Sequence, residues 1–195
     1  MKRILLLTLF FALTIFSMSF MVFNKSMEIV VRSDSEVSIS GTSNISSFNC
    51  CYNINEISEV IPVRFETNDE STIFYSTELE LKSSCFDCGH KAINKDFNKL
   101  LKSELYPEIK LKLIAIEKSS KRKNTYHANV EISIADVVNS CTIPVTVARH
   151  DDMHINGELH IDLRDYQLEA PKKVMGLVVV NPNVVVNFNL FIKQI

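Results

Sequence analysis

From residue 28 onward the chain alternates polar and apolar positions with few interruptions. That is the period of a half-buried β-strand. The cleanest run is Glu78-Leu79-Glu80-Leu81-Lys82, with charges on one face and leucines on the other. Residues 28–31, 36–41, 44–52, 60–65, 73–81, 109–116, 126–134, 142–147 and 153–163 read the same way. Residues 176–180 and 184–192 form a last hairpin around Asn181-Pro182-Asn183. Turns or short connections at 68–71, 119–124, 136–140, 149–152 and 164–166, and a loop at Pro171-Lys172-Lys173, separate these runs. Pro62 marks its strand as an edge or an irregular one, and Gly41 predicts a bulge or a close backbone approach. Cys50 and Cys51 are adjacent, so in a strand they point to opposite faces. The pattern predicts an all-β protein of about eight to ten strands, a barrel or a sandwich.

One stretch breaks the alternation. Phe97, Leu100, Leu101 and Leu105 fall at i, i+3, i+4 and i+8, a single apolar stripe of a helix. Lys95, Asp96, Asn98, Lys99 and Lys102 take the other face. Asn94 is the expected N-cap. Pro107 excludes helical backbone at Tyr106 and is expected to end the helix. A stripe of this kind predicts a short amphipathic helix laid across the sheet or over a barrel mouth.

The N-terminal residues carry a different pattern. Lys2 and Arg3 precede an uncharged, mostly apolar run over 4–23, closed by Asn24 and Lys25. This reads as an export signal, either cleaved or retained as an anchor. The expected organisation is therefore a signal or anchor over 1–25 and one domain over 26–195. Export places the domain in the periplasm or cell envelope, where the five cysteines can form disulfides with one left over. A formal net charge of -2 gives no case for nucleic acid. The basic turn at 119–124 has no aromatic beside its charges and reads as a solvated loop.

Candidate chemistry is sparse. Cys85, Cys88 and His90 have the look of a redox or metal motif. They lack the βαβ context of a thioredoxin-like site and the second ligand pair of a zinc site. His150 and His154 are spaced like two ligands on one helix face, but the intervening Glu is missing and they lie at a hairpin. No phosphate loop and no nucleophile elbow are present. The residues read as a binding protein and not an enzyme, with no cofactor. An exported barrel rich in Phe, Ile, Leu and Val suits an apolar ligand. A barrel with a filled core, serving a structural or interaction role, uses the same residues.

Taken in order, several landmarks resemble the YceI-like proteins. Ile39-Ser40-Gly41-Thr42-Ser43-Asn44 is followed by Phe48, Cys50 and Tyr52. Phe86-Asp87-Cys88-Gly89 and Asn94-Lys95-Asp96-Phe97 come next, then Leu101-Lys102 and Tyr106-Pro107 with Ile109. Ile134-Ala135 to Pro144-Val145, and then Tyr166-Gln167-Leu168, Ala170-Pro171 and Gly176-Leu177, complete the series over about 28–195. Asp136 stands where the family has a hairpin glycine, and Val138 and Asn139 also depart from it. The resemblance implies an antiparallel lipocalin-like β-barrel of about eight strands with one short amphipathic helix packed over it. It implies an exported protein that holds polyisoprenoid or another long-chain lipid. It pairs Cys50 with Cys88; Cys51, Cys85 and Cys141 lie outside the family pattern, and Cys51–Cys85 is a second bridge open to the chain, which would leave Cys141 free. Phe86, Phe97, Leu101 and Ile109 are the expected cavity-lining residues. Membrane proximity and a homodimer stay open.

Overall fold

The computed structural model describes residues 25–57, 60–120, 122, 124–149, 151–173 and 177–195. The expected signal or anchor over 1–25 lies almost wholly outside them, as does His150. In chain order the strands are β1 (Lys25–Val31), β2 (Glu36–Thr42), β3 (Ser47–Tyr52), β4 (Ile61–Thr67), β5 (Ser71–Lys82) and β6 (Phe86–Asp87). Helix α1 (Lys91–Leu100) follows. Then come β7 (Glu108–Lys118), β8 (Thr125–Ile134), β9 (Val137–Arg149), β10 (Met153–Asp162), β11 (Lys172–Lys173), β12 (Val178–Val179) and β13 (Asn183–Gln194).

The ring runs β1-β4-β5-β7-β8-β9-β10-β13 and closes by pairing β13 with β1. Among the described residues this is a closed antiparallel barrel of eight strands with one α-helix, the predicted architecture. Every pairing in the ring is antiparallel. Closure removes the exposed edges of an open sheet. β1 and β2 lie end to end along β13: Val31 stands opposite Ile192, and Glu36 opposite Asn189. From β2 the sheet branches outward to β3 and then β6. The branch carries the chain over one end of the barrel, where α1 sits.

Alternation decides which side faces in. Ala128, Val130, Ile132 and Ile134 of β8 are all buried, as are Leu159 and Ile161 of β10. On the outer face Lys110 reaches Glu80 at 2.5 Å and Lys112 reaches Glu131 at 3.2 Å. These cross-strand pairs suit the register but, being exposed to solvent, add little to stability.

Some expectations change. The connection read at 136–140 shrinks to Ala135 and Asp136, and 137–140 belongs to β9. Both turn residues have positive φ, 49° and 69°. A two-residue turn with both positions left-handed matches the twist of a hairpin. The last hairpin also differs. Val178–Val179 pairs with Lys172–Lys173, while β13 lies between β10 and β2. No bulge interrupts β2 at Gly41; the close approach there is made by the Phe48 side chain.

Candidate functional site

The helical corner starts with the disulfide. β3 pairs with β6 through Cys51 opposite Asp87 and Tyr52 opposite Phe86. The next rung brings Cys50 opposite Cys88, and the two are bonded. Cys50 is fully buried and Cys51 exposed, as opposite faces of a strand require. The Cys51–Cys85 pairing does not form; both are free, as is Cys141. The Asn53 N–H donates to the Cys85 carbonyl at 2.9 Å, so Cys85 stands across from Asn53 and not from Cys51. Diagonal neighbours of this kind are about 7–8 Å apart, longer than the ordinary reach of a disulfide.

Gly89, at φ 77°, turns the chain from β6 into α1. The N-cap is His90 and not Asn94: its Nδ1 accepts from the Ala92 N–H at 3.2 Å. Asn94 lies in the first turn and works as a clamp. Its Oδ1 accepts from the Cys88 N–H at 2.7 Å, and its Nδ2 donates to Asp87 Oδ1 at 3.0 Å. That donation, joined by the Gly89 N–H, lowers the Asp87 carboxyl below its ordinary pKa. The helix ends at Leu100, before Pro107. Lys102 takes φ 53°, and left-handed backbone at this point terminates a helix. Leu105 therefore leaves the stripe and is exposed. Cys88 is committed to the disulfide and His90 to the cap, so Cys85, Cys88 and His90 do not assemble as a ligand set.

Inside the barrel lies a cavity of about 410 Å³. Its wall is apolar almost throughout. At the helical corner it is lined by Phe86, Phe97, Leu101 and Ile109, the four residues singled out in the sequence. All four are buried, and the Phe86 and Phe97 rings lie 5.3 Å apart. The opposite wall comes from β9, β10 and β13 and includes Val147, Ile155, Phe188 and Leu190. These side chains point inward yet are only partly buried, because they border empty lumen. A filled core leaves no such row. Among the described residues, polar lining is confined to Ser43, Ser46, Ser47 and Asp96. The lining residues most exposed to solvent, Ser46, Ser47 and Ile93, lie at the same end and mark the mouth.

Two glycine–phenylalanine pairs shape the lumen. Gly41 stands directly across from Phe48, and Gly157 from Phe188. A Cβ on Gly41 would lie 2.3 Å from the Phe48 ring, and one on Gly157 2.5 Å from the Phe188 ring. Each ring lies in the recess its glycine leaves, and both rings line the cavity. Gly41 was singled out in the sequence as a bulge or close approach, but neither pairing of a glycine with a phenylalanine was. A cue was there: each glycine sits at an inward position of an alternating strand.

The mouth is held by backbone pairing. Asn44, in the β2–β3 loop, donates through Nδ2 to the Leu177 carbonyl at 2.8 Å and accepts from the Val179 N–H at 2.9 Å. Ser43 bridges Val180, and the Asn181 N–H donates to Thr42. Asp162 caps the turn Leu163–Tyr166 by accepting from the Arg164 N–H. The Arg164 side chain also donates to this carboxyl, whose pKa falls to about 2.

The YceI-like domain model matches residues 30–192, nearly the whole described barrel. The chain belongs to the YceI-like domain family. No curated protein sequence matches it. Among solved structures, BcnA of Burkholderia cenocepacia is 18% identical with a TM-score of 0.63, over 80% of this chain and 95% of that one. A polyisoprenoid binding domain from Saccharophagus degradans, implicated in plant cell wall breakdown, is 13% identical with a TM-score of 0.63. It covers 87% of this chain and 99% of the other. At such identities the likeness establishes a shared fold. Among the described residues no helix is long and apolar enough to cross a membrane.

Proposed function

We propose that this YceI-like chain is an exported lipid-binding protein. It holds a long-chain isoprenoid, or a similar apolar chain, in the barrel for carriage or sequestration in the envelope. The observation that carries the reading is the lumen: about 410 Å³, lined by inward apolar side chains from six of the eight ring strands. Burial of apolar ligand surface is the driving force such a wall supplies, at about 25 cal/mol per Å². The polyisoprenoid binding domain of Saccharophagus degradans shares the barrel, which supports the same ligand class here. The Cys50–Cys88 disulfide suits an oxidising compartment. Residues 1–25 serve as the export signal or anchor, and 26–195 as the binding domain.

Phe86, Phe97, Leu101 and Ile109 are the proposed contacts beneath the helix, where the ligand enters. Native mass spectrometry of protein purified from its host is the test. Co-purifying isoprenoid lipid is the expected result, and consistently empty protein that also fails to take up added isoprenoid would overturn the reading. Replacing Phe97 and Leu101 with Ser should lower occupancy; unchanged occupancy in a folded variant excludes entry under α1.

A further inference from the structure

The cavity mouth carries an exposed apolar rim contributed by three separate segments. Ile45, 69% exposed, caps the β2–β3 loop. Leu177, 72% exposed, and Val179, 41% exposed, lie beside it, held there by the two Asn44 hydrogen bonds. Ile93, 39% exposed, lines the cavity from α1. A single apolar side chain at such exposure is ordinary; a cluster around one opening is not. Lysines accompany it. Lys91, Lys95 and Lys99 repeat every four residues, so they share one face of α1, and all three are exposed.

We infer that this rim docks the mouth onto a lipid bilayer bearing anionic phospholipid. The inference rests on the lipid-binding reading above and names the partner of that same site. An apolar tip enters the boundary between headgroups and acyl chains, while the α1 lysines remain at headgroup depth, attracted by anionic lipid. The cavity then opens directly to the phase in which an apolar ligand dissolves, and the ligand need not cross water. The rim suits this because it is held by backbone pairing, so little ordering is required on docking.

Topology assigns a polarity. β1 begins at Lys25, opposite Phe65, and Phe65 pairs with Phe74 beside the β4–β5 turn. β2 and β12, by contrast, end at the mouth. Lys25, which leads back to the apolar run over 4–23, is thus at the opposite pole from the rim. The docking surface is accordingly the far end of the barrel from Lys25.

The sequence contains no tryptophan, so one introduced residue reports its own surroundings. Leu177→Trp and Ile45→Trp place the probe on the rim, and Ile73→Trp places it at the opposite pole. The full chain, as exported by its host, is mixed with phosphatidylcholine–phosphatidylglycerol vesicles whose acyl chains are brominated. Emission from the two rim variants is expected to shift blue and be quenched, while the Ile73→Trp variant is not quenched. Paired Ile45→Asp and Leu177→Asp changes should lower the vesicle-bound fraction of added barrel by about tenfold, and high salt should weaken the lysine contribution. Quenching confined to the Ile73→Trp variant, or absent from all three, overturns the inference. Native mass spectra of the same preparations separate the two ideas. Lipid-loaded protein whose rim probes stay unquenched removes the docking but leaves the lipid-binding reading. Quenched rim probes on protein that never takes up lipid do the reverse.

Discussion

The helical corner and the β10–β13 wall use the same kinds of residue and reach opposite states. At the corner Cys50, Phe86, Phe97 and Leu101 are buried against one another, and the Tyr52 and Phe86 rings meet edge to face at 5.0 Å. Polar groups there are tied down as well, with Asn94 joining the Asp87 carboxylate to the Cys88 N–H. On the wall, Ile155, Phe188 and Leu190 point just as firmly inward but meet open lumen. Their strands are held by a long ladder, in which Met153 to Asp162 pair without a break with Ile192 to Asn183. The corner is stabilised by packing and a covalent link, and the wall by backbone hydrogen bonds. A barrel that divides the work this way can leave a lumen unfilled by its own side chains without losing its fold.

Breaking the disulfide is expected to have the largest effect. The separation of 38 residues between Cys50 and Cys88 corresponds to about 4 kcal/mol in the chain-entropy model. Replacing both with Ala should lower the thermal midpoint strongly under oxidising conditions; an unchanged melt would mean the corner does not carry the stability assigned to it.

Next in size is a direct comparison of two leucines. Leu101→Ala at the packed corner should cost roughly 2–5 kcal/mol, as burial and cavity formation predict. Leu190→Ala on the wall should cost about half as much or less, because one side of that leucine has no packing partner to lose. Urea unfolding of both variants measures the difference. Equal losses would show that the wall is packed as tightly as the corner.

Gly157→Ala separates room from stability. The new methyl group must displace the Phe188 ring, which has only the lumen to move into. Overpacking costs about 1–3 kcal/mol. Lipid occupancy per folded molecule should fall as well, read by native mass spectrometry. Full occupancy together with a normal melt would sink the recess argument.

The smallest effect concerns Asn94 and acid. Asn94→Ala removes the partner of the Cys88 N–H and should destabilise by about 1 kcal/mol. It also removes the main cause of the lowered Asp87 pKa. A carboxyl lowered on folding contributes stability above its unfolded pKa and loses it as pH falls through the folded value. The native chain should therefore lose this contribution only below about pH 4, the ordinary carboxylate range. The variant should show a shallower acid dependence in that window; an identical acid profile would assign Asp87 no role.

Much of the barrel was legible in the sequence because strand period is local information. Alternation from Glu78 to Lys82 sets which side chains face out whatever the neighbouring strand is, and the structure keeps that assignment. Opposite faces for Cys50 and Cys51 follow from the same geometry. The helix was legible by its stripe, but its ends were not. His90, whose ring caps the helix only once β6 and Gly89 have placed it, took the role expected of Asn94. Lys102 ended the helix well before Pro107 could. The turn at Ala135 and Asp136 was read too late, at 136–140, because Ala135 gives no sign of the positive φ it adopts.

What tertiary structure alone decided was the company each residue keeps. The amino-acid order determined strands, facing and one amphipathic helix, since these depend on contacts within a few residues. The exclusion of Cys51–Cys85, the pairing of Gly41 with Phe48 and Gly157 with Phe188, and the emptiness of the lumen depend on register between distant strands. Ring closure sets that register and the barrel's width. An inward apolar side chain reads the same in the sequence whether it meets another side chain or open space. Only the closed barrel, too wide for its own side chains to fill, distinguishes the two.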